Sequence, residues 1–221
     1  VAAGPPATVY KIDARGTVTK LYTADAQYIW RMVEGPKGLI YCATGEPGSI
    51  VRLDSKGNSS VVFKPEQRHL RALTYDSRYG VLVGGGERGV LYRSPNGDAP
   101  YAALFDSGQT EMTAIVAGDS YIYVAAVSGA QAVAQEGPDP KHQRKNESKV
   151  RSQLVRVAID GTTEVLAGSN DEVIFDMASD SKGLMYVVTG ATGREDPRGR
   201  LYTIDPKKRD IALIYQSPSR R

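Results

Sequence analysis

Apolar residues in this chain come in short runs, and glycine, proline, aspartate and asparagine punctuate them. One unit shows the pattern. Trp30 to Val33 forms a first run, closed by Gly35-Pro36-Lys37-Gly38. Leu39 to Ala43 follows, then a turn at Gly45 to Gly48, then Ser49 to Leu53. The polar turn Asp54-Ser55-Lys56-Gly57-Asn58 leads into Ser60 to Lys64. Runs this short between turn formers predict strands, not helices. The turn residues supply the positive φ angles of tight hairpins. Apolar alternation on the second and third runs suits sheets stacked face to face. The unit therefore reads as four antiparallel strands, a to d.

The unit recurs every 41 residues. Gly38-Leu39-Ile40-Tyr41-Cys42-Ala43-Thr44-Gly45 is matched by Val81-Leu82-Val83-Gly84-Gly85-Gly86, by Ile122-Tyr123-Val124-Ala125-Ala126, and by Gly183-Leu184-Met185-Tyr186-Val187-Val188-Thr189-Gly190. A period near 40 residues built from short strands is the mark of a β-propeller, whose blades are such sheets. Complete units span Tyr28–Lys64, His69–Phe105, Thr110–Leu166 and Val173–Gln216. Ahead of them stands only a c–d hairpin, Thr8 to Asp13 and Thr17 to Tyr22. The expected fold is an all-β propeller over residues 1–221 as one domain, with four full blades and the outer hairpin of a fifth.

An isolated hairpin is marginal in water and an open edge invites aggregation. The inner strands that complete this blade have three conceivable sources: further sequence of a longer propeller, another chain, or irregular closure of the ring on the strands present. In the last case the Thr8–Tyr22 hairpin pairs with Val173–Gln216. The spacing breaks once, between Tyr92 and Val155, where a polar stretch at about Gly129–Arg151 is inserted between strands b and c. It has no period of strand or helix and is expected to be mobile. A smaller expansion, Arg194 to Arg198, occupies the same turn in the fourth unit. Both lie on the face where the d–a connections emerge, which is where binding usually develops on a rigid scaffold.

The motif G-x-[IL]-Y-x-x-T-G, followed by G-x-[IL]-[YV]-[RT]-[IL]-D, covers nearly the whole chain and resembles the broad NHL / SMP-30 / WD40-like group of bacterial propellers. The resemblance is specific for fold. No Gly-His or Trp-Asp pair recurs, so the WD40 hallmark is missing. Lactonases and lyases of similar architecture hold a divalent metal through Glu, Asn, Asp or His, and no matching set is found in this chain. The resemblance therefore favours a binding propeller.

Innermost strands line the channel of a propeller. Reading equivalent positions around the ring places Arg31, Arg68, His69, Arg71, Glu172 and Asp176 at the mouth that carries the long loops. Residues of both signs around a concave axis suit a small ligand or a peptide. The simpler reading is a water-lined channel in which the charges pair with each other. One histidine and two acids from different blades make no catalytic constellation and no metal set. The turn acids Asp13, Asp54, Asp160 and Asp205 are hairpin formers. The Gly84-Gly85-Gly86 run is a strand tip, since no helix follows it.

Composition narrows the function classes. A net charge of +3 with interspersed signs gives no ground for nucleic acid or an anionic membrane as partner. No apolar run approaches a transmembrane length. Cys42 is the only cysteine, which excludes an internal disulfide and suits a small buried side chain. Localisation stays open, with an extracytoplasmic site favoured over the cytoplasm. The leading expectation is a non-catalytic interaction or scaffold module with a protein partner and no cofactor. The alternative is a metal-dependent lactonase or lyase using a divalent ion at the channel mouth.

Overall fold

A computed structural model of the chain describes residues 1–128, 151–191 and 198–218. The proposed mobile insertion at about Gly129–Arg151, and with it His142, lies outside the described residues, apart from the strand that begins at Arg151; so does most of the Arg194–Arg198 expansion. Strands β1 (Ala2–Ala3), β2 (Thr8–Ile12) and β3 (Val18–Thr23) form a three-stranded N-terminal sheet. Four four-stranded antiparallel blades follow. Blade 1 holds β4 (Tyr28–Glu34), β5 (Ile40–Gly45), β6 (Ile50–Leu53) and β7 (Ser59–Phe63). Blade 2 holds β8 (Leu70–Asp76), β9 (Gly80–Gly85), β10 (Val90–Ser94) and β11 (Ala102–Asp106). Blade 3 holds β12 (Glu111–Ala117), β13 (Ile122–Ser128), β14 (Arg151–Val157) and β15 (Thr163–Ser169). Blade 4 holds β16 (Glu172–Ser179), β17 (Met185–Ala191), β18 (Gly199–Asp205) and β19 (Asp210–Gln216). The fold is thus the expected all-β propeller with four full blades and part of a fifth.

Two details differ from expectation. The N-terminal hairpin carries a third strand, β1, beside β2. Two alanines give no strand signal by themselves. The hairpin also shares no sheet with β16–β19, so closure by pairing with the last blade does not occur among the described residues. It packs on blade 1 instead, where Val9, Leu21 and Tyr22 join Ile29, Met32, Cys42, Val51 and Leu53.

The turn acids act locally, as their type predicts. The Asp13 carboxylate accepts from the Arg15 and Thr17 amides, and that of Asp54 accepts from the Lys56 and Asn58 amides. Asp160 and Asp205 repeat the arrangement. These hydrogen bonds to the charged form hold the carboxyl pKa of all four below the usual range.

Each blade-to-blade joint is an apolar layer. Tyr41, Ile50, Val81 and Val83 fill the joint of blades 1 and 2. Leu82, Leu91, Met112 and Val124 fill that of blades 2 and 3. Leu154, Ile174, Met185 and Val187 lie between blades 3 and 4. Along β9, alternate residues therefore face opposite neighbours, and the whole strand is buried.

Candidate functional site: the channel mouth and the open joint

Every inner strand carries a β-bulge at the same place. The register between strands a and b slips at Ile29/Arg31, Leu70/Ala72, Met112/Ala114 and Ile174/Asp176. The extra residues are Trp30, Arg71, Thr113 and Phe175. A bulge twists its strand and re-aims the side chain it carries. The pairing also corrects the equivalences read from spacing. In blade 3, Thr113 stands where Trp30 stands in blade 1, one residue later than the 41-residue period places it. Ala114, not Thr113, is the counterpart of Arg31.

The bulges explain the Thr-Gly pair of the repeat. A Cβ on Gly45 would lie 2.2 Å from Trp30 Nε1, and one on Gly190 would lie 2.6 Å from Phe175 Cε2. A large bulged side chain lies over the strand b position that only glycine leaves empty. In blade 3 the bulged residue is the small Thr113, and the corresponding position is Val127.

Each bulged side chain reaches the next blade. Trp30 Nε1 donates to His69 Nδ1 at 3.3 Å. Arg71 Nε lies 3.6 Å from Glu111 Oε1. Thr113 Oγ1 donates to the Ile174 carbonyl at 2.7 Å. Phe175 ends the series, and its side chain is 58% exposed.

Among the sequence-selected residues, three come together around Trp30. The Arg71 guanidinium stacks 4.1 Å from the Trp30 ring centroid, and Tyr28 stacks on the other side at 4.9 Å. Because His69 Nδ1 accepts a hydrogen bond, the neutral ring carries its proton on Nε2, 3.8 Å from Glu46 Oε1. Burial, with Arg71 next, lowers the His69 pKa, so the ring is neutral at pH 7. Arg68 pairs with the same Glu46 at 2.6 Å. Burial pushes the Glu111 carboxyl up while Arg71 opposes it. Arg31 and Asp176 meet separately, at 2.7 Å, linking the inner strands of blades 1 and 4. Glu172 lies apart from both groups. Its carboxylate accepts from Thr189 Oγ1 at 2.5 Å, from Tyr202 at 3.1 Å and from Arg200. The six residues thus form three paired groups, and the Nδ1 of His69 is taken up by Trp30. Among the described residues no three His, Cys, Asp or Glu side chains are grouped to hold a metal. Reasoning from the chain alone missed the partners Glu46 and Glu111, whose pairing depends on which blades adjoin, and Thr189 and Tyr202, whose pairing with Glu172 depends on strand register within blade 4.

The joint beyond blade 4 is different in kind. Val188, Leu201 and Tyr215 pair across β17, β18 and β19 on one face. The counterparts of Leu201 at closed joints, Ile50, Leu91 and Leu154, are fully buried, and those of Tyr215, Phe63, Phe105 and Ala167, are half-buried. Here Val188 is 44% and Tyr215 57% exposed. The opposite flank of the same gap is the N-terminal sheet. Ile12 pairs with Val18, at the positions that Ile204 and Ile211 hold in blade 4. Ile12 is 51% and Val18 61% exposed; of their counterparts in blade 4, Ile204 is buried and Ile211 is itself 46% exposed. Val188 on one flank and Ile12 on the other thus hold positions that a neighbouring blade covers elsewhere.

No family model matches the chain, and no match is found among curated proteins. Solved structures do match. A chain of a nidogen/laminin complex aligns with a TM-score of 0.66 at 13% identity, over 96% of this chain and 76% of that one. A virginiamycin B lyase from Staphylococcus aureus, solved in an inactive form with quinupristin, aligns with a TM-score of 0.67 at 12% identity, over 93% of this chain and 62% of that one. At such identities the likeness shows a β-propeller fold and nothing finer.

Proposed function

We propose that this chain is a non-catalytic interaction propeller and that the open joint receives its partner. The partner is an extended segment of polypeptide with apolar residues at alternate positions. It takes the inner place in the N-terminal blade and covers the exposed face of blade 4. The observation that carries this reading is the pair of apolar flanks, Phe175, Val188 and Tyr215 on one side and Ile12 and Val18 on the other. Burying a side chain of this size contributes about 1.5–3 kcal/mol, and exposed apolar patches of this kind mark interaction surfaces. The edge of β1 offers main-chain groups for strand addition. An inserted strand passes Tyr28, Arg31 and Asp176 at the channel mouth, which brings the Arg31–Asp176 pair into contact with the partner. Similarity to a chain solved within a protein complex is in keeping with this reading.

The test compares the chain with a Phe175→Lys, Val188→Lys double variant, both recovered from the native host. A protein partner at fixed stoichiometry should accompany the parent and be lost from the variant, whose circular dichroism and melting should match the parent. A partner retained by the variant, or none with the parent, contradicts the proposal. The lactonase or lyase alternative predicts something else: turnover that needs a divalent metal and is lost on Glu172→Gln or Asp176→Asn.

A further inference from the structure

The joint between blades 3 and 4 breaks a pattern that the other blades keep. In every blade a strand c residue pairs with a strand d residue just before a bulge: Val9 with Tyr22, Ile50 with Phe63, Leu91 with Phe105, Leu154 with Ala167, and Leu201 with Tyr215. Four of these five strand d residues are aromatic. The exception is Ala167.

The filled version of the site shows what is missing. Between blades 1 and 2, Phe63 packs 4.9 Å from Tyr92 and stacks on Tyr101 at 4.5 Å and 15°. The register makes Tyr202 the counterpart of Tyr92 and Ile211 the counterpart of Tyr101. At the joint of blades 3 and 4 the trio Phe-Tyr-Tyr has become Ala167-Tyr202-Ile211. Two aromatic rings are gone, and a cleft of about 250 Å³ lies in their place, walled by Ile174, Val187 and Ile204. Close packing is the rule in protein interiors, so a gap of this size at one joint is a feature of the chain's own residues.

One rim of the cleft is polar. Ser152 Oγ accepts from the Ile174 amide, and Ser169 Oγ accepts from the Asp171 and Glu172 amides. With these bonds fixing both oxygens, the hydroxyl protons have no assigned acceptor among the described residues. Ser152 and Ser169 thus place two hydroxyls, each able to donate, on the rim of the apolar slot. The Glu172 carboxylate, held by Arg200, Thr189 and Tyr202, closes another side with its charge already matched.

We infer that this cleft binds a small neutral aromatic molecule, one ring bearing an oxygen acceptor, with the ring where Phe63 lies in the first joint and the oxygen at Ser152 and Ser169. The chemistry is that of a ring-sized apolar slot with a few placed polar groups. This site is independent of the open joint and of the partner proposed there.

The probe is p-cresol, titrated into the whole chain by calorimetry and by ligand-observed NMR, with p-xylene as the analogue lacking oxygen. Saturable binding at one site is expected, with p-xylene weaker by about fivefold, the value of one hydrogen bond. Ala167→Phe restores the aromatic and should weaken p-cresol at least tenfold while raising Tm. Ala167→Leu fills the slot with a smaller side chain and decides the matter if the Phe variant does not fold. Absence of saturable binding to the parent at millimolar p-cresol overturns the inference. So does unchanged affinity in a folded Ala167 variant.

Discussion

Strands β9 and β17 hold the same place in blades 2 and 4, yet they live in different surroundings. All of β9 is buried, with Val81 and Val83 against blade 1 and Leu82 against blade 3. In β17 only one face is covered: Met185 and Val187 are buried against blade 3, while Val188 is exposed. Both sequences are apolar and β-branched, so strand propensity does not separate them. What separates them is whether a neighbouring blade covers the second face among the described residues. Burial in a propeller is a property of neighbours, and a blade with one neighbour keeps half its core on the surface.

Truncation should expose that difference most strongly. Leu82→Ala leaves a cavity between two blades and should cost about 2–5 kcal/mol. Val188→Ala removes methyls that already face solvent and should change stability by less than about 0.5 kcal/mol. Urea unfolding of the two variants measures both. Similar losses would mean that the outer face of blade 4 is covered in solution.

A second pair of substitutions sharpens the comparison at the bulges. A methyl on Gly45 meets Trp30 and, at 2.4 Å, His69 Nδ1, both wedged in a closed joint. Gly45→Ala should therefore cost about 1–3 kcal/mol through overpacking. A methyl on Gly190 meets only Phe175, which is free to swing into the open joint. Gly190→Ala should stay within about 0.5 kcal/mol of the parent in thermal melts. If Gly190→Ala is as costly as Gly45→Ala, Phe175 is held in place by something beyond blade 4.

The closed joint between blades 1 and 2 also carries a pH response. Burial depresses the His69 pKa below its usual 6.5. Below that pH the unfolded chain takes up a proton that the folded ring resists. Stability contributed at this site is thus full above pH 6.5 and is lost as pH falls toward the folded pKa. His69→Asn should flatten the slope of stability against pH across that window. An unchanged slope would mean that the folded ring takes up its proton as readily as the unfolded one. The smallest effect concerns Cys42, whose thiol burial pushes up to about 12. At pH 8 it should react with a thiol reagent only when the protein unfolds, and rapid labelling of the folded chain would place it at the surface.

Much of this architecture was legible in the chain, for local reasons. The 41-residue period, the glycine turns and the capping aspartates are set by neighbours in sequence. The Thr44-Gly45 and Thr189-Gly190 pairs were visible as a motif, but their cause was not. It lies in a bulge on the adjacent strand, and residue counting cannot show where pairing slips. Thr113 was hidden as the counterpart of Trp30 because the turn between the first two strands is one residue shorter in blade 3 than in the other blades. Ala167 was hidden as well, since the aromatic ladder emerges only once strands c and d are put in register. At the mouth Arg31 and Asp176 were both named and pair with each other, whereas Glu46 and Glu111, the partners of Arg68 and Arg71, were not. Arg71 and Glu111 meet because blades 2 and 3 adjoin, which spacing alone does not convey. The open joint is hidden for the plainest reason, that Val188 and Val83 are the same residue type in similar strands.

The most direct test of the account places a photo-crosslinking phenylalanine analogue at position 175 and, separately, at Val61. The two native side chains are almost equally exposed, at 58% and 59%. Phe175 lies at the open joint and Val61 on the outer strand of blade 1. Irradiated in the native host, position 175 should give a discrete protein adduct that the Val188→Lys substitution abolishes, and position 61 should give none. Equal labelling at both positions, or an adduct at 61 alone, would contradict the claim that the uncovered joint is where this propeller meets its partner.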